Sequence, residues 1–259
     1  MGVPQIDAVL TRIDSVVVEA RARRLRTGFF AAMYRQTTKT VGREVEAGAF
    51  DDAERMARFV AMFAGRYLDA VGLWQAGQQP TRSWRVAFRA ADRRDRVILQ
   101  HLLLGMNAHI NLDLAVVAAT ICPGDSIFEL KDDFGRINDV LQRLMVPLQK
   151  TIGRFSPLLH VLWQVGGDVD DEVLNFSIRV ARRDAWQQAV TLAHLDDERR
   201  ALAIDSLDRK VAVLGRLVDQ PGGVLEKAVD VVGYLESDDI VAITDALLRV
   251  EPTPRPGPG

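Results

Sequence analysis

Five polar side chains lie within an otherwise apolar stretch of this sequence. The segment 97–121 contains no Lys, Arg or Glu, yet it includes His101, Asn107, His109, Asn111 and Asp113. Burying a polar group without a hydrogen-bond partner is costly, so each of these side chains needs a partner. On a helix that turns by about 100° per residue, His109 and Asp113 lie one turn apart on the same face, whereas His101 lies roughly 12 Å further along the axis. The spacing therefore predicts that His109 and Asp113 share a site.

A histidine followed four residues later by an aspartate permits three arrangements. The carboxylate can hold the imidazole in one tautomer and tune it as a general base. Both side chains can instead ligate one metal ion, as ligands one turn apart do in helical metal sites. The third arrangement is a buried hydrogen-bonded pair that only stabilises helix packing. The lack of other charge in the segment favours the first two.

A second acidic residue, Asp133, lies on the next predicted helix. It falls about 40° from Ile137, on the apolar face of that helix, and Asn138 lies at the edge of the same face. We therefore take Asp133 and Asn138 as further candidates for catalytic residues. The alternative for Asp133 is a buried ion pair with an arginine such as Arg183.

The loop between these two helices suggests how their acidic residues meet. Pro123 and Gly124 form a short connection, which predicts that the helices pack antiparallel. Asp113 and Asp133 would then lie at similar depth, roughly 13 Å from the turn. We therefore expect His109, Asp113 and Asp133 to converge.

One histidine and two carboxylates make a suitable ligand set for a single divalent metal ion. His109, Asp113 and Asp133 would suit Zn, Mn, Fe or Mg, and a metal-bound water would then act on a small-molecule substrate. The first predicted function is therefore a metal-dependent hydrolase or lyase, with metal-free acid/base catalysis at the same residues as its variant. The alternative is a helical protein that binds a small-molecule or lipid-like ligand around a buried polar anchor. A structural or interaction protein is a further possibility.

Two acidic segments are similar to parts of the diphosphate-binding motifs of terpene cyclases. Asp132 and Asp133 resemble the start of an acid-rich motif, and INDV at 137–140 resembles an Asn-Asp metal motif. The Ser and Glu expected downstream are Gln142 and Val146, so the second motif is incomplete. Terpene-cyclase-like diphosphate chemistry is therefore the second alternative.

Apolar residues recur at helical spacing along the chain, and the alternation typical of strands is nearly absent. Most predicted helices are amphipathic, but 97–121 is apolar on nearly every face, as a central buried helix is. We find no repeat and no convincing linker. The sequence predicts an all-α fold, a single compact multi-helix bundle over residues 1–250 with 97–121 as its buried central helix. The Pro- and Gly-rich tail 251–259 is predicted to be disordered.

Composition and charge indicate which classes of binding partner to expect for this protein. The 259 residues are 48% hydrophobic and include one cysteine, which excludes an intrachain disulfide framework and predicts a cytoplasmic protein. No stretch approaches about 18 uncharged apolar residues, so we expect no membrane-spanning helix. Arginines cluster in 21–26 and 82–96 without the aromatic or polar side chains that read bases, so these runs are interpreted as solvated helix faces. A small molecule is the expected partner, rather than nucleic acid or membrane.

Several segments of the chain carry a family resemblance. They are LQHLLLGMNAHINLDLAVVAA at 99–119, SWRVAF with Trp84 and Phe88, DDFGRIN with Asp133 and Asn138, and RRDAW with Ala185 and Trp186. On these segments the chain resembles the uncharacterised domain-of-unknown-function family 5995, which is bacterial and fungal. The resemblance covers most of residues 25–195 and implies an all-helical fold of about this length; of the two sources, we expect a bacterial one. It implies no activity, so the site hypothesis rests on the residues themselves.

Overall fold

The computed structural model describes residues 3–159 and 171–254, with side chains from residue 179 onward in the second range. Its helices in chain order are α1 Pro4–Ala22, α2 Thr27–Glu46, α3 Ala53–Gln75, α4 Arg82–Ala91, α5 Ile98–Ala108, α6 Leu114–Ile121, α7 Lys131–Gly153, α8 Asp171–Ala193, α9 Asp197–Asp219, α10 Gly223–Leu235 and α11 Ile240–Leu247. A π-helical turn, His109–Asp113, joins α5 to α6, and a 3-10 helix, Gly124–Leu130, leads into α7. None of the described residues forms a strand, which confirms the predicted all-α bundle.

The predicted central helix is present and runs from Ile98 to Ile121, because the π-helical turn connects α5 to α6 without a break. Leu102, Leu112 and Leu114 on this helix are almost completely buried. By length and mean hydropathy the helix could cross a membrane, and 72% of its most apolar window is buried inside the fold. The core helix of a globular bundle has the same properties, so these features alone are weak evidence for a membrane span.

Helices from both halves of the chain enclose the central helix. Its first half, α5, packs against α2, α4 and α9, and its second half, α6, packs against α3 and α8. The π-helical turn contacts α3, α8 and α9. The turn that carries His109 and Asp113 is therefore held in the middle of the bundle by three other helices.

The connection between the central helix and the next helix is not the tight turn on which the expected antiparallel packing rested. The connection is the seven-residue 3-10 helix Gly124–Leu130, whose Ile127 and Leu130 are fully buried. This segment places those two side chains in the core before α7 begins at Lys131. Helix α7 packs mainly against α2, α8 and α11, and α8 lies along α6 instead.

The predicted disordered tail falls partly within the described residues. Thr253 donates its backbone N–H to the carbonyl oxygen of Arg143 on α7, at 2.9 Å. Residues 255–259 lie outside the described range. The described part of the tail therefore contacts the helical bundle.

Gly105 on α5 provides a test of this packing. A Cβ at this position would overlap the ring of Phe30, which is buried among other aromatic side chains and has little room to move. We expect Gly105→Ala to lower the free energy of unfolding by about 1–3 kcal/mol, as overpacking in a core does. Gly65→Ala on α3, where a Cβ would meet nothing within 4 Å, should instead raise it by about 0.5–1 kcal/mol. Urea unfolding measures both, and equal effects of the two substitutions would contradict the close contact between α5 and α2.

Candidate functional site

His109 and Asp113 occupy the two ends of the π-helical turn. His109 Nδ1 lies 3.2 Å from Asp113 Oδ2, and the two residues are only 3% and 1% exposed. Turns of π-helix are rare and often occur at functional sites. The structure thus brings together the pair that the spacing predicts, on an irregular turn in the core.

Two further donors fix the Asp113 carboxylate. Arg66 on α3 donates from Nε to Oδ1 at 2.8 Å, and Trp84 on α4 donates from Nε1 to Oδ2 at 2.8 Å. The carboxylate therefore accepts bonds from three side chains, and the ion pair with Arg66 balances its negative charge. This arrangement holds the oxygen beside His109 in a fixed position.

Aromatic rings enclose the His109 imidazole. Phe63 stacks on it with ring centroids 3.6 Å apart and an interplanar angle of 8°, and Tyr34 meets it edge-on at 4.5 Å. The rings of Phe30, Tyr67 and Trp84 complete this surround at 5.9–6.3 Å. The imidazole is therefore orientated by rings on several sides as well as by Asp113.

Burial sets the protonation state of His109. It lowers the pKa of His109, and the Asp113 carboxylate opposes that shift without cancelling it. The imidazole is therefore neutral near pH 7. An ionised carboxylate only accepts hydrogen bonds, so Nδ1 carries the ring proton and donates a hydrogen bond to Asp113. Nε2 then carries a lone pair and no proton. Nε2 is thus a hydrogen-bond acceptor.

His109 lines a cavity of about 90 Å³ between α2, α3, the central helix and α7. Most of the lining is apolar or aromatic, and it includes Met33, Met106 and Met145. The lining also contains the polar side chains Gln36, Thr37, Thr38, His109 and Arg182. The site is therefore a largely apolar chamber with a few polar groups in its wall.

Most of these polar groups already have partners. Thr37 and Thr38 donate their hydroxyls to backbone carbonyls one turn back, and Gln36 donates its amide to the carbonyls of Leu248 and Val250. His109 Nε2 has no hydrogen-bond partner among the residues that the structure describes. Among the described lining residues it is the one fully buried polar side-chain atom without a partner.

Comparison with known proteins bears on the family of this chain. Residues 6–221 match the Family of unknown function (DUF5995). The chain belongs to this family. The matched range contains the π-helical turn and all the polar residues of the cavity wall, and it confirms the resemblance found in the sequence. No curated protein and no solved structure gives a match. The function of this DUF5995 protein must therefore be argued from its geometry.

Asn138, a predicted catalytic residue, lies beside the cavity wall as a partner of Arg182. Its side-chain oxygen accepts a hydrogen bond from Arg182 Nε, and Arg182 Nη2 donates to the carbonyl oxygen of Phe134 at 2.7 Å. Arg182 is 3% exposed and lines the cavity, whereas Asn138 is not among its lining residues. In this DUF5995 protein Asn138 therefore positions an arginine and does not itself face the chamber.

Asp133 does not join His109 and Asp113, so the predicted convergence of the three is wrong. Its fully buried carboxylate accepts bonds from the backbone N–H of Asp51 at 2.8 Å and from Arg55 and Arg136 at 3.2 and 2.7 Å. It accepts a further, longer bond from the N–H of Asp52, at 3.3 Å. Asp133 thus ties the start of α7 to the start of α3.

The predicted metal ligand set depends on that convergence. With the Asp133 carboxylate bonded to two arginines, His109 and Asp113 are left without the third ligand. Within residues 3–159 and 171–254, no group of three or more His, Cys, Asp or Glu side chains is placed to hold a metal ion. The alternative for Asp133, a buried ion pair with an arginine, is the arrangement that forms. Its partners are Arg55 and Arg136, whereas Arg183 is exposed.

The other polar residues of the central helix have separate surroundings. Asn107 donates to the carbonyl oxygen of Val211 on α9 at 2.9 Å, and Asn111 donates to Asn107 at 2.9 Å, so this pair attaches the central helix to α9. His101 lines a different cavity of about 20 Å³, and neither of its ring nitrogens has a described partner. Burial lowers the pKa of His101 to about 3. It is therefore a neutral histidine outside the site of His109.

Two arginines of the site, Arg66 and Arg182, were not predicted from the sequence. The sequence does contain an indication of each, because each lies at a core position of an apolar helical stripe. Arg66 follows Phe59 by seven residues and Phe63 by three, and Arg182 precedes Ala185 by three residues and Trp186 by four. A charged residue at such a position must be paired in the core, and Arg66 is paired with Asp113.

Proposed function

We propose that this protein binds a small, largely apolar molecule that carries a hydrogen-bond donor such as a hydroxyl group. The bound molecule would lie in the cavity of about 90 Å³, with its donor bonded to His109 Nε2. One observation carries the proposal: within the described part of the chain the buried Nε2 has no partner, while the other nitrogen of the same ring is held by Asp113.

The unpaired Nε2 acceptor favours a ligand that carries a hydrogen-bond donor. A buried polar atom without a partner costs roughly 1–3 kcal/mol, and a ligand that donates to it removes this cost. A ligand of the same shape without a donor would leave the cost in place. The cavity should therefore discriminate between an alcohol and an isomeric ether.

The size and the composition of the wall define the class of ligand. An engineered apolar cavity of roughly 150 Å³ binds benzene, so a cavity of about 90 Å³ takes a six-carbon molecule only when flexible side chains of its wall move aside. Met33, Met106 and Met145 are unbranched and flexible, and methionine linings adapt to ligands of different shape. A short-chain alcohol of about six carbons is the simplest probe that combines these features.

The experiment compares hexan-1-ol with its isomer methyl pentyl ether by isothermal titration calorimetry at pH 7. The wild-type protein should bind the alcohol about tenfold more tightly, which corresponds to about 1.4 kcal/mol for one added hydrogen bond. His109→Phe keeps an aromatic ring against Phe63 but removes the acceptor, so it should bind the two isomers equally. Comparing isomers within each variant cancels any change in the shape of the cavity.

His101→Phe is the matched control, because His101 is a buried histidine on the same helix that does not line this cavity. It should keep the wild-type preference for the alcohol. Failure of the wild type to bind either isomer would refute the binding function. Equal binding of both isomers by the wild type would show that His109 is not the polar anchor.

General-base catalysis on the bound molecule is the second candidate function. The observation that favours it is the same carboxylate–histidine pair, which leaves a lone pair on a positioned nitrogen. It ranks second because burial lowers the pKa of His109 and thereby weakens the base. In addition, both threonine hydroxyls of the described wall donate to backbone carbonyls and not to the imidazole.

A further inference from the structure

Arg182 is a buried cation in the wall of the same cavity. It is 3% exposed, and its two described acceptors are neutral oxygens, those of Asn138 and Phe134. None of the described Asp and Glu side chains forms an ion pair with it. The other buried arginines of the described fold, Arg55 and Arg96, each contact at least one carboxylate. Arg182 thus differs from them in lacking a described counter-charge.

The surroundings keep this cation charged and in place. Burial lowers the pKa of Arg182 only to about 9, so the guanidinium remains protonated at pH 7. Its central carbon lies 4.5 Å from the centroid of the Phe134 ring, which supports the flat face of the group. The bonds to Asn138 and to the Phe134 carbonyl use Nε and Nη2, while Nη1 has no described acceptor.

A protonated guanidinium of this kind is a ready partner for an anion. An isolated buried charge is costly, and pairing it with an opposite charge recovers much of that cost. Arginine binds carboxylates through strong charge-assisted hydrogen bonds. The remainder of the described lining contains no Asp, Glu or Lys, so an anion placed there would meet no described carboxylate in the wall.

We infer that Arg182 is the binding group for a carboxylate, and that the cavity takes small apolar monocarboxylates with the alkyl part in the chamber. This inference rests on the proposed binding function, because it places its ligand in the same cavity. It extends that function by naming an anionic class of ligand and a second anchor. Asn138 acts as a positioning residue that holds the guanidinium towards the chamber.

The experiment compares hexanoate with hexan-1-ol, which have the same chain length. We expect the wild-type protein to bind both at pH 7, and Arg182→Met to lose at least about tenfold more affinity for hexanoate than for hexan-1-ol. Arg182→Lys should keep part of the affinity for hexanoate, because it keeps the positive charge. Arg183→Met is the matched control, since the neighbouring arginine is exposed, and it should change neither affinity.

Two further comparisons keep the test decisive. Arg182→Gln removes the charge but retains donors for Asn138 and Phe134, so it replaces Arg182→Met if that variant does not fold. His109→Phe should weaken the binding of hexan-1-ol but not that of hexanoate, because the two ligands use different anchors.

The outcomes separate this inference from the function on which it rests. Binding of hexan-1-ol with no binding of hexanoate, or hexanoate binding that is insensitive to loss of the Arg182 charge, overturns the carboxylate inference and leaves the proposed function standing. Failure of both ligands to bind overturns the proposed function. Loss of hexanoate binding alone in Arg182→Met supports the inference.

Discussion

Replacing Asp133 with alanine is expected to lower the free energy of unfolding by about 3–5 kcal/mol, because it removes one partner of a buried ion pair. Asp133 is fully buried and accepts bonds from two arginines and from the backbone N–H groups of Asp51 and Asp52. Arg55 is itself only 9% exposed, and without Asp133 its carboxylate contacts would be only the longer ones, at 3.5 and 4.0 Å, with the more exposed Glu129 and Asp52. The connection between the starts of α3 and α7 would be lost as well.

Asp132→Ala is the matched control for this substitution. Asp132 is the preceding residue, in the same first turn of α7, but it is exposed. Its removal should change the free energy of unfolding by no more than about 0.5 kcal/mol. Urea unfolding of both variants measures the difference. If Asp133→Ala were as stable as Asp132→Ala, the buried network would not stabilise the fold, and Asp133 would again be a candidate for a functional carboxylate.

Asp113→Asn is expected to lower the free energy of unfolding by about 3 kcal/mol, since it removes a buried charge partner. The Asp113 carboxylate accepts from three donors, on Arg66, Trp84 and His109. An asparagine has one oxygen, which should remain with the charged Arg66. Its amide N–H groups then face Trp84, itself a donor, and His109. The Trp84 indole N–H would thus lose its acceptor.

The same substitution should also change which nitrogen of His109 carries the proton. Facing an amide donor, Nδ1 becomes the acceptor, and the proton moves to Nε2. The cavity wall would then present a donor in place of an acceptor, and the preference for hexan-1-ol over methyl pentyl ether should disappear. Isothermal titration calorimetry of the folded variant, in the absence of urea, measures this preference.

Asp69→Asn is the control for Asp113→Asn, because Asp69 also pairs with an arginine but is 74% exposed. It should leave both stability and ligand preference unchanged within about 0.5 kcal/mol. A stable Asp113→Asn variant that still prefers the alcohol would contradict the role assigned to the carboxylate.

Periodicity predicted the fold class and the central helix because burial of one face is a local property of each helix. The pairing of His109 with Asp113 was also predictable, since i and i+4 side chains meet within a single helix. The π-helical turn was not predictable in this way. It arises inside a segment that is apolar on nearly every face, and a helical wheel drawn at a constant 100° per residue cannot show a change of helix type.

The position of Asp133 was mispredicted because it depends on how two helices pack. The expected depth required a tight turn at Pro123 and Gly124, whereas Gly124–Leu130 forms a 3-10 helix of seven residues that buries Ile127 and Leu130. Its Ile127 and Leu130 look the same in sequence whether they begin an α-helix or form such a segment. The partners of Asp133, Arg55 and Asp51, are about 80 residues away in the chain, and no local pattern links them to it.

The most direct test of the account is the state of His109 Nε2, measured by nitrogen-15 NMR of the full chain labelled at histidine. The His109 signals are assigned by their loss in His109→Phe. The account predicts a neutral ring protonated at Nδ1 at pH 7, with an Nε2 resonance that moves on saturation with hexan-1-ol and not with methyl pentyl ether. A ring protonated at Nε2, or an Nε2 resonance that does not respond to the alcohol, would contradict the claim that His109 is the hydrogen-bond acceptor of a ligand-binding cavity.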